Sequence, residues 1–121
     1  MTREYIYVCS PYKGDIETNT EAAKQYCRYI SKRGSHPLCP HIYFTQFLND
    51  DVPEERNAGM AHALAWLDDC DRMYIFLNDN RTVSEGMQKG IEYANDHNIP
   101  IRFITLDEVN KELYGKDEEK E

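Results

Sequence analysis

Tyr5-Ile6-Tyr7-Val8-Cys9-Ser10-Pro11-Tyr12-Lys13-Gly14-Asp15 opens the chain with a β-rich run that stops at a proline. Five residues of high strand propensity precede Ser10-Pro11, and proline cannot continue a hydrogen-bonded ladder. Lys13-Gly14-Asp15 reads as a turn. Beyond it, Glu17 to Lys32 carries Ala22, Ala23, Tyr26 and Ile30 at helical spacing. Asp15 and Thr18 are both candidate caps, and Thr18 with Glu21 has the capping-box pattern. Gly34 suits the helix end. The opening is therefore a strand, a tight turn and a helix.

The same grammar repeats outward. Pro37-Leu38-Cys39-Pro40 is a short second strand bracketed by prolines. His41 to Asp51 has apolar residues without a clean period and reads as a loop with a helical turn. Pro53 fits the first turn of a long helix ending near Asp69. Within that helix, Gly59 and Ala61 to Leu67 suggest close packing against a neighbour. Arg72-Met73-Tyr74-Ile75-Phe76-Leu77 is the clearest strand. Asn78 to Arg81 is a polar loop, and Ser84 caps a helix reaching Asp96. Ile99 to Ile104 is the last strand, followed by a terminal helix over Leu106 to Tyr114. Strands alternating with helices predict an α/β fold with a parallel sheet covered on both faces.

The bulk numbers agree. The chain has 121 residues, enough for one domain, with 40% hydrophobic and 30% charged residues. Residues 1–115 form the expected domain and 116–121 an acidic tail. A net charge of -8 opposes binding to a nucleic-acid polymer. The apolar runs are strand-length, so no membrane span is expected, and the N-terminus lacks a signal-peptide pattern. A cytoplasmic location follows as an expectation. Cys9, Cys27, Cys39 and Cys70 are too far apart for a local metal hook and read as reduced, mostly buried thiols. No metal and no organic cofactor is expected.

In an open parallel sheet, ligands bind beyond the carboxyl ends of the strands. Two segments there carry chemistry. Cys9 to Asp15 offers the Ser10 hydroxyl, Pro11, the Tyr12 ring for stacking, and a glycine turn. A plain strand-to-helix turn is the alternative. Ser84-Glu85-Gly86-Met87 opens a helix, where free N–H groups can hold a phosphate or carboxylate. An ordinary N-cap is the alternative there, and Glu85 would repel an anion. His41, after a proline at a strand end, is a candidate ligand contact or acid–base group; a structural histidine is the alternative. The phosphate loop, the dinucleotide fingerprint and the nucleophile elbow are all missing.

Read together, Ile6-Tyr7-Val8-Cys9-Ser10-Pro11-Tyr12, Cys39-Pro40-His41, Phe44 to Asp50, Glu55-Arg56, Cys70-Asp71, Ser84-Glu85-Gly86-Met87 and Ile99-Pro100-Ile101 resemble a family. It is that of the DUF4406-type (DUF7768-like) proteins, small and often phage-associated relatives of the nucleoside 2-deoxyribosyltransferases. The resemblance implies a flavodoxin-like (Rossmann-like) three-layer fold with a parallel sheet of four to five strands. It also implies a pocket for a nucleoside or nucleotide and assembly as a homodimer or higher homo-oligomer. The transferase relatives use a glutamate nucleophile on the helix after the third strand, with retaining-glycosidase logic, and a helper carboxylate on the preceding helix.

By that resemblance the nucleophile position falls on Gly90 and the helper near Ala63. Glycine within a helix costs roughly 1 kcal/mol relative to alanine, so Gly90 is expected to make room for a ligand or a neighbouring subunit. Glu85 is the one substitute carboxylate, since Glu92 points to another helix face. The implied ligand shell is Tyr7, Ser10, Pro11, Tyr12, His41, Asn78, Ser84, Gly86, Met87 and Gly90. The expected function is binding of a nucleoside or nucleotide, with cleavage or transfer of its N-glycosidic bond if catalytic. A non-catalytic binder that sequesters or senses such a molecule is the alternative. A purely structural or assembly role is a third.

Overall fold

Four parallel strands form one sheet in a computed structural model that describes residues 3–77 and 83–115. They are β1 (Tyr5–Cys9), β2 (His36–Leu38), β3 (Arg72–Leu77) and β4 (Ile101–Thr105), in the order β2-β1-β3-β4. The helices are α1 (Ile16–Lys32), the short α2 (Pro40–Tyr43), α3 (Pro53–Asp68), α4 (Glu85–Asp96) and α5 (Leu106–Asn110). A 3-10 turn, Phe44–Gln46, follows α2, and a π-helical turn, Lys111–Gly115, follows α5. This is the α/β three-layer arrangement expected, with four strands.

Why the central strands read as unbroken apolar runs is clear from their two faces. Successive side chains leave opposite sides of a strand. Ile6, Val8, Phe76 and Ile104 pack with Ala23, Tyr26, Tyr29 and Ile30 of α1 and with Val109 of α5. Tyr7, Cys9, Met73 and Ile75 pack with Ala63 and Leu67 of α3 and with Met87, Ile91 and Ala94 of α4. Both faces are covered, so both sets must be apolar. Tyr26 stacks flat on Phe76, with centroids 4.2 Å apart.

The helix ends follow local chemistry. Asp15, not Thr18, caps α1: its carboxylate accepts from the Thr18 N–H (3.1 Å) and the Thr18 hydroxyl (2.8 Å). That carboxyl is held below its usual range by these bonds. Gly14 and Gly34 flank the helix at positive φ of 96° and 88°, where glycine carries no steric penalty. Asn98, at φ 58°, does the same after α4. Thr105 and Glu108 form a reciprocal capping box at α5.

Two strand boundaries differ from expectation. Pro40 begins α2 rather than ending β2, because a proline at the first helical position loses nothing. The last strand starts at Ile101, not Ile99. Ile99 donates back to the Ala94 carbonyl to close α4, while the Pro100 carbonyl accepts from Met73. In α3, only Ala63 and Leu67 are fully buried; Ala61 and Ala65 face outward.

Candidate functional site

The chain leaves β1 to form β2 on one side, then crosses to form β3 on the other. Strand order therefore reverses at β1, the place where open parallel sheets of this kind form a crevice beyond their strand ends.

At that end of β1 the buried Ser10 places its hydroxyl 3.1 Å from Nε2 of His41, the second residue of α2. The Cys39 sulfur lies 3.6 Å from the same nitrogen. Burial pulls the His41 pKa down to about 4, so the imidazole is neutral near pH 7. A neutral imidazole beside a hydroxyl can pass or accept a proton. The Tyr12 ring sits 5.6 Å from the His41 ring and tilts against it. The loop carrying Tyr12 is fixed from α1: the Asn19 amide donates to the Tyr12 and Lys13 carbonyls at 3.1 and 3.0 Å.

Tyr12 also lines a groove of about 590 Å³. One wall is Tyr12-Lys13-Gly14 with Ile16, and the other is Thr45 to Asp51 with Glu55. The second wall is internally braced. Glu55 accepts from the Asn49 N–H at 2.6 Å, and the Asn49 side chain accepts from the Asp51 N–H at 2.9 Å. Lys13 reaches across to Asp50 at 3.6 Å.

The other expected site residues lie elsewhere. Pro11 is half-buried between Ser10 and Tyr12. Tyr7 belongs to the core beneath α3 and α4; burial, then the Cys9, Cys39 and Cys70 thiols, push its hydroxyl pKa well up. Its place one pleat short of the strand end corrects the expectation that it faces ligand. Ser84 caps α4 by accepting from the Met87 N–H at 3.2 Å, and Ser84, Glu85 and Gly86 are exposed. These three do not line the groove. Met87 is buried, and its carbonyl lies 3.9 Å from the Cys9 sulfur, so the first turn of α4 covers the end of β1. Asn78 lies outside the described residues.

Gly90 is buried against the sheet. A Cβ there would meet the Met73 methyl at 3.2 Å. It thus permits close packing of α4 on β3, and the space is filled by Met73 rather than left for a ligand. Ala63 is buried in the same core.

Sequence reasoning missed Thr45 to Asp51, Glu55 and Asn19. The signal was present in Asn49-Asp50-Asp51, a turn-forming acidic run ahead of a proline-started helix. It also missed that Cys27 and Cys39 meet: their hydrogen bond lowers the Cys27 pKa and, with burial, raises that of Cys39. All four cysteines are free.

This geometry can be set beside known proteins. A domain of unknown function, DUF7768, matches residues 4–104. The chain belongs to this family. No curated protein matches its sequence. Among solved structures, a 2-deoxyribosyltransferase from the psychrotolerant bacterium Bacillus psychrosaccharolyticus, described as a biocatalyst for nucleoside synthesis, shares the fold. Its TM-score is 0.67 at 16% identity, covering 84% of this chain and 72% of that one. This DUF7768 domain is thus an α/β protein with a deoxyribosyltransferase-type fold. Among its described residues no helix is long and apolar enough to cross a membrane.

Proposed function

We propose that this DUF7768 protein binds a nucleoside or nucleotide in the groove beside Tyr12, without turning it over. The observation that carries this reading is Tyr12, whose ring leans on His41 beside Ser10 at the strand-order reversal and lines a groove of about 590 Å³. An aromatic face suits a base, and the polar side chains of Thr45, Asn49 and Asp50 on the opposite wall suit sugar hydroxyls. The fold match to a 2-deoxyribosyltransferase supports an N-glycoside as the ligand class. The second reading is cleavage or transfer of the N-glycosidic bond. Closure of the Gly90 position by Met73 favours binding over that chemistry.

The test is a thermal-shift screen of nucleosides and nucleotides alongside an assay for released base. A ligand at 100 times its Kd stabilises by roughly 2.7 kcal/mol, a Tm rise on the order of 10 °C for a domain this size. We expect such a rise with no base released. Base release above the uncatalysed rate replaces the binding reading with the enzymatic one. No shift with any member of the panel removes both and leaves a structural role.

We also infer self-association as a homodimer or larger homo-oligomer. Tyr43 and Phe47 are 51% and 60% exposed and stack edge-on beside Trp66, an apolar surface that water does not favour. Sedimentation of a single species at the monomer mass would overturn this.

A further inference from the structure

The charges around the groove select among N-glycosides. Three carboxylates line it, those of Asp50, Asp51 and Glu55, against one ammonium, that of Lys13. Lys13 is already paired with Asp50 at 3.6 Å. Glu55 keeps its charge turned to a backbone N–H at 2.6 Å, and Asp51 is exposed. Among the described residues lining it, the groove therefore carries an excess of negative charge with no free cation.

The other element suited to an anion is also spoken for. The Ser84 hydroxyl already accepts from Met87, Glu85 adds a negative charge in the first turn of α4, and neither lines the groove. A phosphate monoester brings about 1.5 to 2 negative charges at neutral pH. Placed between these walls it meets like charge from groups within a few ångströms of one another, a repulsion strongest at low ionic strength.

We infer that the ligand of this groove is a nucleoside without phosphate, and that Asp50, Asp51 and Glu55 are the residues that exclude the 5′-phosphorylated form. This rests on the groove being the nucleoside site proposed above, and it deepens that reading by naming the ligand class. The 5′-hydroxyl of an unphosphorylated sugar can donate to one of these carboxylates, a bond that a phosphate dianion in its place cannot make. The same rim tolerates a positively charged base.

The experiment is isothermal titration of the full chain with adenosine, guanosine, cytidine, uridine and thymidine and with each 5′-monophosphate, at low and high NaCl. The best nucleoside is expected to bind about tenfold or more tighter than its monophosphate at low salt. At high salt, where charges are screened over a few ångströms, that gap is expected to narrow. The double substitution Asp50→Asn with Asp51→Asn should narrow it at low salt, with the monophosphate gaining affinity relative to its nucleoside. Glu55 is left in place because it braces the wall. A monophosphate that binds as tightly as its nucleoside, or a gap unmoved by salt and by the double substitution, overturns the inference and leaves the binding function standing. Binding of neither series by the wild-type chain removes the proposed function, and this inference with it.

Discussion

Two places along the same sheet are filled in opposite ways. At the tip of β1, Ser10 and His41 keep polar atoms 3.1 Å apart inside the protein, and Tyr12 opens beside them onto a groove. Across the sheet face, beneath α4, the corresponding space holds Met73 and Met87 packed against Gly90 and Ile91. A buried polar pair is kept at a cost in desolvation, whereas methionine fills irregular volume readily. The contrast teaches which end of the molecule keeps groups able to meet a ligand. The β1 side keeps its polar groups, and the α4 side has become hydrophobic core.

The comparison is broken most severely by Gly90→Glu. A carboxylate there is driven against the Met73 methyl, 3.2 Å from the new Cβ. We expect a loss of about 3 kcal/mol or more in chemical denaturation and no released base from nucleosides. A stable variant that gained glycosidase activity would show that the α4 side still addresses the ligand.

Acid probes the other side. The folded His41 pKa of about 4 lies below its ordinary value of 6.5, so the unfolded chain takes up a proton that the folded chain resists. The contribution is fully present above pH 6.5 and is lost as pH falls through 4, amounting to about 3 kcal/mol at full protonation. Denaturation curves at pH 7, 5.5 and 4 should show this decline, and His41→Asn should flatten it. An unchanged slope in that variant would mean other groups carry the effect.

Smaller still is Ser10→Ala. It removes the hydroxyl facing His41, against which the Tyr12 ring leans, with an expected cost of about 1 kcal/mol in stability and about threefold in nucleoside affinity through the position of Tyr12. Ser84→Ala should cost a similar amount of stability, about 1 kcal/mol, through the lost cap on α4. Its nucleoside affinity should stay within twofold. Equal affinity losses in the two serine variants would erase the distinction between the two sides.

Much of this was legible from the residues. Alternating strands and helices gave the layers, and Gly34 marked its helix end by the conformation it had to adopt. The site was legible only in half. Ser10, Tyr12 and His41 sit where proline-terminated strands end, which is a local signal. Tyr7 entered the expected shell through the family resemblance; in the fold it shares a face with Cys9, and that face packs against α3 and α4. Gly90 was open to correction from spacing, since Met87, Ile91 and Ala94 mark a buried stripe and position 90 falls within it. The Thr45 to Asp51 wall escaped because its structure depends on tertiary braces, Glu55 to Asn49 and Lys13 to Asp50, and has no period of its own.

Asn19 gives the groove unequal jaws. Its amide bolts two successive carbonyls of the Tyr12 loop to the second turn of α1, and the same helix is locked to the sheet by the Tyr26–Phe76 stack. That jaw moves only if the whole helix moves. The opposite jaw is held by the ion pair to Lys13, by the Asn49–Asp51 turn and by Glu55 in the first turn of α3. The jaws thus differ in their anchor, α1 for the Tyr12 side and the first turn of α3 for the acidic side, so the width of the groove follows the spacing of two helix starts.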